Sequence, residues 1–355
     1  MWNNRKYSSI CIIGLLFATV TCFSVHDKWI IVTTIQYPTP QLKKLAAIPD
    51  WHLLVVGDKK TPVDWHLDSC DYLSPEEQEA LPYKIVPLLP WNHYSRKNIG
   101  YLYAIEHGAT IIYDTDDDNE PINGLHPLNE QESLPILTSH DLCVNVYAYF
   151  DRPDIWPRGY PLESIKNSTY FQIQSPSTVN IGIEQGIVNE DPDVDAIYRL
   201  THNYPTGIFF PRKPSCALRN DLFCPFNSQN TFFHKKAFFT LYIPSTVSMR
   251  VADIWRGYYA QRLLREFDLS IAFSGPSASQ KRNDHNLMHD FLLEEGLYYK
   301  AAKLIHFLKN WPHPITKDPH TIMHLLFSDL VQRDFLQKSE LALCAAWCED
   351  LQKIL

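Results

Sequence analysis

Residues 110–119, TIIYDTDDDN, decide the predicted fold class. The segment begins with apolar and β-branched residues, as a buried strand does, and four aspartates then follow within five positions. Carboxylates packed this closely repel one another strongly unless a cation lies among them. An apolar strand that runs straight into such a cluster predicts an α/β sheet with a binding site at the carboxyl ends of its strands.

The residues before this segment alternate between strand and helix patterns. The predicted elements, in chain order, are a strand over 29–35, a short helix over 42–47, strands over 51–56 and 85–89, and a helix over 95–107. This order predicts an α/β architecture with an open, mostly parallel sheet flanked by helices. Thr34, Asp58 and the acidic cluster would meet at one edge of that sheet.

Composition and charge exclude one class of partner. The chain has 355 residues, of which 45% are hydrophobic, which suits one large domain or two small ones. The formal net charge of -8 and the absence of a long Lys/Arg run give no basic face for nucleic acid. We therefore expect no nucleic-acid partner.

The N-terminus carries a targeting signal. Arg5 and Lys6 precede an apolar stretch over residues 10–25, which is typical of a secretory targeting segment. Kept as an anchor, it predicts a single-pass type II protein that contacts the membrane through this segment and has a luminal remainder. The alternative is a signal peptide cleaved after Ser24, which would release a secreted protein.

Two further features fit a lumen. Asn167 begins an Asn-Ser-Thr glycosylation sequon. Six cysteines follow the targeting segment and could pair in 15 ways, although Cys344 and Cys348 are as well explained as buried thiols on one helix face. No cysteine or histidine cluster has zinc spacing.

The acidic cluster has the chemistry of a divalent cation site. Hard oxygen ligands suit Mn²⁺ or Mg²⁺, and such a cation can neutralise nucleotide phosphates. An EF-hand loop is excluded, because Asn119 and Leu125 stand where it needs Gly and Glu. A haloacid dehalogenase motif fits poorly, because Asp118 stands where it has Thr or Val. The alternative to metal binding is a solvated acidic turn.

Several long strings make the chain similar to a known family, the STELLO-type glycosyltransferases. They cover about three quarters of the chain: VVGDKKTP at 55–62, LPWNHYSRKNIGYLYAIEHGA at 89–109, IIYDTDDDN at 111–119, NEDPDVDAIYRLT at 189–201, SQNTFF at 228–233 and RVADIWRGYYAQRLL at 250–264. Three shorter pieces, RGYP at 158–161, the acidic triplet and DIW at 253–255, more distantly resemble plant reversibly glycosylated polypeptides, which handle UDP-sugars.

The resemblance implies a Golgi type II membrane protein with a glycosyltransferase A fold that binds a nucleotide sugar, most simply a UDP-sugar. Asp58 would face the base or ribose, Arg96 and Asn98 would lie beside the nucleotide, and Thr34 belongs to the same predicted cofactor site. The domain would comprise a nucleotide-binding half over 28–123 and an acceptor half over 142–293, after a targeting segment over 1–27. Residues 124–141 are predicted to form a loop, and 294–355 a helical C-terminal region.

The resemblance leaves two registers open for the metal-binding Asp-x-Asp pair. Either Asp114 with Asp116 or Asp116 with Asp118 would hold the cation, and the late His285 is a further candidate ligand. Asp253 is the candidate general base toward an acceptor hydroxyl. Its alternative role is the N-cap of the helix that follows it.

One more acidic stretch and two functions complete the predictions. Asp191, Asp193 and Asp195 alternate around Pro192 and are predicted to form a solvated turn. The first function is a metal-dependent glycosyltransferase acting on a glycan or glycoprotein acceptor. The second is a non-catalytic Golgi factor that assists a partner glycosyltransferase or polysaccharide synthase, since plant STELLO relatives are associated with assembly of cellulose synthase complexes.

Overall fold

The computed structural model describes residues 27–167, 169–202, 207–282 and 286–355. The predicted targeting segment before residue 27 and the candidate ligand His285 lie outside the described residues. Within the described ranges, no helix combines the length and the apolar character needed to cross a membrane.

The described residues form one sheet of ten strands. In chain order these are β1 Lys28–Thr33, β2 His52–Val56, β3 Cys70–Leu73, β4 Ile111–Thr115, β5 Asn119–Pro121, β6 Gln131–Thr138, β7 Gln172–Asn189, β8 Cys216–Leu218, β9 Asn230–His234 and β10 Ser270–Gln280. Their spatial order is β3-β2-β1-β4-β9-β7-β6-β8-β10-β5, with β10 also paired to β7. The first four are parallel neighbours, whereas β9 runs antiparallel to both β4 and β7.

Helices cover this sheet. They are α1 Pro40–Ala46, α2 Pro75–Ala80, α3 Lys97–Glu106, α4 Val146–Tyr149, α5 Ala196–Thr201, α6 Met249–Leu264, α7 Leu287–Leu293, α8 Glu295–Asn310, α9 Pro319–Gln332 and α10 Glu340–Ile354. The predicted α/β fold of glycosyltransferase A type is therefore confirmed, with a parallel first half and a mixed second half.

Burial explains the parallel part. The side chains of β1, β2 and β4 are almost wholly buried, because helices lie on both faces of parallel strands. Helix α3 packs directly on β1 and β2 at Gly100, where a Cβ atom would lie 2.7 Å from Val56 and 2.8 Å from Ile31. The predicted polar loops then leave the strands at a single edge.

The C-terminal region is helical, as predicted. Helix α8 buries Leu297, Ala301, Leu304 and Leu308, the same face that the sequence pattern indicates. Helix α8 packs against α6, and α10 packs against α3. These helices therefore share the main hydrophobic core.

Two predicted elements are wrong. The predicted strand over 85–89 is a short 3₁₀ helix, Val86–Leu88, because Pro87 lacks the amide that a strand must donate. The third strand is instead β3, which has only one buried residue and so carries little apolar signal. The predicted loop over 124–141 contains β6, whose first half is polar because it faces solvent.

The cysteines of the described residues all have free thiols. Cys216 and Cys224 are both buried, and so are Cys344 and Cys348 on α10. The sequence left their pairing open, and the structure makes packed thiols their common state.

Glu184 gives the fold a pH-dependent stability. Its side chain is 2% exposed on β7 and accepts a hydrogen bond from the Leu128 amide at 2.7 Å. Burial raises its pKa from 4.5 to about 7. The folded state thus holds a proton that the unfolded chain releases, so stability is present below about pH 4.5 and lost as the pH rises through about 7.

Glu184→Gln keeps the shape and the bond from Leu128 but removes the charge. We expect the variant to exceed the wild type in free energy of unfolding at pH 8 by up to about 3 kcal/mol, with a smaller difference at pH 5. Urea unfolding at both pH values measures this. An equal difference at both pH values would contradict the assignment.

Gly257 lets α6 approach the chain before β9. A Cβ atom there would lie only 2.4 Å from the Phe226 carbonyl oxygen. We expect Gly257→Ala to lower the free energy of unfolding by about 1–3 kcal/mol through overpacking. The matched control is Gly296→Ala in α8, where the new Cβ would make an ordinary 3.5 Å contact with Val251 and should not destabilise.

Candidate active site at the carboxyl edge of the parallel strands

A cleft of about 410 Å³ opens where β1, β2 and β4 end. The predicted site residues that line it are Thr34, Asp58, Arg96, Asp116, Asp118 and Asp253. Asn98 and Asp114 are not among its lining residues; both side chains are fully buried beneath it. The cleft therefore brings together six predicted residues from five separate segments of the chain.

Asp116 presents one carboxylate oxygen to the cleft and has the other fixed. The Tyr94 hydroxyl donates to Oδ1 at 2.7 Å, and the Lys97 ammonium lies 3.5 Å from the same oxygen. Tyr94 lines the cleft too, while Lys97 is fully buried behind it. Oδ2 is left for a ligand.

Asp118 is held in a similar way. Gln280 Nε2 donates to Oδ1 at 2.9 Å, and Asn119 Nδ2 lies 3.4 Å from the same atom. The aspartate between the two has a different environment, because Asp117 accepts a hydrogen bond from the Thr34 hydroxyl. Asp117 and Asp118 lie in a turn, where the Asn119 amide bonds to the Asp116 carbonyl at 3.4 Å, and their side chains reach different partners.

The carboxylates are costly to keep as anions. Burial raises the pKa of Asp116 to about 6, although the Lys97 ammonium opposes this. Burial also raises the pKa values of Asp117 and Asp118. A cation between Asp116 and Asp118 would remove this cost.

Asp114 lies below the loop in a buried ion cluster. Its Oδ1 is 2.7 Å from Lys97 Nζ and its Oδ2 is 2.9 Å from Arg256 Nη2, and all three side chains are fully buried. Arg256 also donates to Ser228 Oγ at 2.7 Å. Of the two registers considered, Asp116 with Asp118 is therefore the one whose members both line the cleft.

Asp58 fixes the loop before α3. Its Oδ1 accepts hydrogen bonds from the backbone amides of Lys59 at 2.6 Å and Asn92 at 2.8 Å, and His93 N lies 3.3 Å from Oδ2. Asn98, predicted beside the nucleotide, instead bonds through its amide to the backbone N and O of Ile243 at 2.8 Å each. That bond ties α3 to the acceptor half.

Arg96 is a buried guanidinium with an unused donor. It is 1% exposed, stacks 3.3 Å from the Trp91 ring centroid, and donates to Gln78 Oε1 at 2.8 Å and to the Leu89 carbonyl at 3.3 Å. Its Nη2 has no hydrogen-bond partner among the described residues, and burial lowers the pKa of Arg96 to about 10. A buried N–H without a partner is costly, so this group suits an acceptor oxygen on a ligand in the cleft.

Asp253 is not the N-cap of its helix. Ser248 caps α6, and Asp253 lies in the second turn. Both Asp253 oxygens accept from the Arg158 guanidinium, at 3.0 and 2.7 Å. The candidate base is thus engaged by an arginine at the edge of the cleft.

The predicted solvated turn over 191–195 is wrong. Asp193 is 7% exposed, and it accepts from Arg158 Nε at 2.7 Å and from Asn227 Nδ2 at 2.8 Å. Asp195 caps α5 and accepts from Trp156 Nε1 at 2.6 Å. Asp193 and Asp195 are buried because their partners come from distant segments, which the local pattern does not reveal.

Four side chains that shape the site were not predicted: Tyr94, Lys97, Arg158 and Gln280. Lys97 and Tyr94 lie in or beside the predicted helix before β4. The sequence therefore indicated their place in the fold, but it did not show that their side chains point toward the acidic loop. Arg158 lies in the RGYP string, whereas nothing local to Gln280 marks it.

The donor set fits Mn²⁺ or Mg²⁺ in one particular way. Within the described ranges, no three His, Cys, Asp or Glu side chains converge as a complete metal site. Mg²⁺ in nucleotide sites is usually held by one or two carboxylates together with phosphate oxygens and water. Asp116 and Asp118 both line the cleft, and each has one carboxylate oxygen held by a neighbouring side chain, so the pair supplies the number of carboxylates that such a site uses.

Comparisons with known proteins agree with the geometry. Residues 250–355 match the family model described as STELLO glycosyltransferases. The chain is 35% identical to "Probable glycosyltransferase STELLO1" and 36% identical to "Probable glycosyltransferase STELLO2", both of Arabidopsis thaliana. Each match covers 92% of this chain and 44% of the relative, so the chain spans less than half the length of these curated relatives.

The family model covers α6 to α10, which include Asp253 and Arg256. The two relatives extend the match through the nucleotide-binding half. These matches confirm the predicted resemblance to STELLO glycosyltransferases, which extends over 92% of this chain.

Proposed function

We propose that this chain is a metal-dependent glycosyltransferase that moves a sugar from a nucleotide-sugar donor to a glycan or glycoprotein acceptor. The observation that carries the proposal is the pair Asp116 and Asp118, whose outer oxygens face one cleft at the carboxyl edge of a parallel sheet. The names of its relatives support the same class of reaction.

The donor, a UDP-sugar, would lie across the nucleotide half of the cleft. Arg96 Nη2 supplies a donor group for a base or phosphate oxygen. The Thr34 and Asp58 side chains hold the surrounding loops and leave little freedom to the walls. Preorganised walls lower the entropy cost of binding the nucleotide.

Asp116 and Asp118 would hold Mn²⁺ or Mg²⁺ on the donor's diphosphate. When bound, the cation neutralises the charge that develops on the leaving diphosphate. Among the described residues, six acidic side chains and five Lys or Arg side chains line the cleft, so a divalent cation would reverse the sign of this balance before a diphosphate arrives. Tyr94 and Lys97 keep Asp116 aimed at the cation.

Asp253 is our candidate for receiving the acceptor proton. Both Asp253 oxygens accept hydrogen bonds from Arg158. This ion pair must therefore loosen when the acceptor binds, so that Asp253 can act as a base. Asp193 offers Arg158 an alternative carboxylate on the side away from Asp253. The guanidinium can therefore remain paired during such a change.

The engagement of Asp253 by Arg158 favours a second function as well. A fold that retains donor binding but keeps its acceptor-side carboxylate neutralised would suit a non-catalytic factor for a partner glycosyltransferase or polysaccharide synthase. Binding without transfer distinguishes this function from the first.

We propose the Golgi membrane as the location, with residues 1–27 as a type II anchor. Secretion after signal cleavage is the alternative. The exposed side chain of Asn167 is compatible with a luminal chain. Immunofluorescence of the full chain, with protease protection to orient it, tests this.

We expect nucleotide-sugar binding that requires Mn²⁺ and is lost when Asp116→Asn and Asp118→Asn are combined. Removing both charges leaves the cation two neutral oxygens, and the metal-dependent part of the affinity should fall by at least about tenfold. Calorimetry with a panel of UDP- and GDP-sugars, with and without Mn²⁺, measures this and identifies the nucleotide.

The control variant is Asp68→Asn, whose side chain is 94% exposed and distant in sequence from the acidic loop. It should bind as the wild type does. Unchanged melting temperatures would show that all variants are folded. Metal-independent binding, or equal binding by the double variant, would contradict the proposed site, and binding without sugar transfer would favour the non-catalytic factor.

A further inference from the structure

Asp118 is connected to the acceptor half by a chain of two side-chain amides. Gln280, the last residue of β10, donates from Nε2 to Asp118 Oδ1 at 2.9 Å. Gln229, which precedes β9, donates from its own Nε2 to Gln280 Oε1. Both glutamines are buried, at 8% and 6% exposure, and both line the cleft.

The direction of this chain is fixed at its far end. Gln229 Nε2 also donates to the Asp191 backbone carbonyl at 3.2 Å, so both of its N–H groups are used. The Gln280 carbonyl must therefore face Gln229, and its amide must face Asp118. The reverse orientation would place N–H against N–H and carbonyl against carboxylate.

The backbone around both glutamines is equally fixed. The Gln229 carbonyl accepts from Thr115 Oγ1 at 2.8 Å, which joins it to the end of β4. Gln280 pairs with Asn119 across the β5–β10 ladder, directly beside Asp118. The two amides therefore bridge backbone segments that the sheet already holds, and have little freedom to shift.

We propose that Gln280 is a positioning residue for metal binding, held in one orientation by Gln229, and that it selects which oxygen of Asp118 faces the cation. This inference rests on the proposed metal site at Asp116 and Asp118. By occupying Oδ1, Gln280 prevents the carboxylate from rotating and leaves Oδ2 directed at the cleft. Partners behind a metal ligand commonly contribute 10- to 100-fold in metal affinity, by about this mechanism.

The test is Mn²⁺ affinity in the presence of a nucleoside diphosphate, measured on the full chain from the electron paramagnetic resonance signal of free Mn²⁺. Gln280→Met keeps the length of the side chain and removes its amide. We expect its Mn²⁺ dissociation constant to rise by about 10-fold or more. Saturating Mn²⁺ should restore nucleotide affinity to the wild-type value, which a variant with a damaged fold would not do.

A second Gln280 variant and a matched control complete the experiment. Gln280→Asn retains an amide that is too short to reach Asp118 and should act in the same direction, which keeps the test decisive if the methionine variant does not fold. The matched control is Gln131→Met on β6, where the amide is exposed and bonds to Asn180 at 3.0 Å. It should leave Mn²⁺ affinity unchanged.

The outcomes separate the two levels of inference. Wild-type affinity in folded Gln280 variants would overturn the positioning role while leaving the metal site in place. A loss of nucleotide affinity that excess Mn²⁺ does not restore would also overturn it. A wild-type chain that binds no Mn²⁺ with any nucleoside diphosphate would overturn the proposed function, and with it this inference.

Discussion

The site depends on a buried ion cluster beneath it. Asp114, the penultimate residue of β4, lies between the ammonium of Lys97 on α3 and the guanidinium of Arg256 on α6, and none of the three side chains reaches solvent. Removing one member of a buried pair leaves an uncompensated charge and costs about 3–5 kcal/mol. The cluster therefore ties the strand that carries the acidic loop to one helix from each half of the chain.

The same cluster determines what the acidic loop can do. Lys97 is shared between Asp114 below and Asp116 above, at 2.7 and 3.5 Å, so the buried charge also orients the first carboxylate in the cleft. Beyond it, a turn at Asp117 and Asp118 directs Asp117 to Thr34 and Asp118 to Gln280. Four aspartates in sequence thus become one structural ion, two residues directed at the cleft, and one that fixes a neighbouring loop.

Helix α6 links the chemistry of the two halves. Asp253 and Arg256 are one turn apart, so the helix carries a carboxylate toward Arg158 and a guanidinium toward Asp114 at the same time. The C-terminal helices support this arrangement from outside. Glu340 of α10 accepts hydrogen bonds from the Ser245 and Thr246 amides just before α6, and Glu294 pairs with Arg250 in its first turn. The region that matches the family model therefore holds the acceptor wall as well as lining it.

The sequence by itself determined most of the parallel half of the sheet, the edge at which the cleft opens, and six of the residues that line it. These features follow from local patterns, because apolar strands, helix periodicity and polar strand ends can each be recognised from residues that are close together in the sequence. The strands β3 and β6 were not predicted, because a mostly exposed strand has no apolar run to reveal it.

Only the tertiary structure decided the roles of the charged residues. Asp114 and Asp118 look alike in sequence, yet one lies between two cations and the other is held by an amide more than 160 positions away. Asp193 looks like part of a solvated turn, but it is buried because Arg158 reaches it from another segment. Burial and partner choice set the energy of a charge, and both arise from contacts between residues that are distant in the chain.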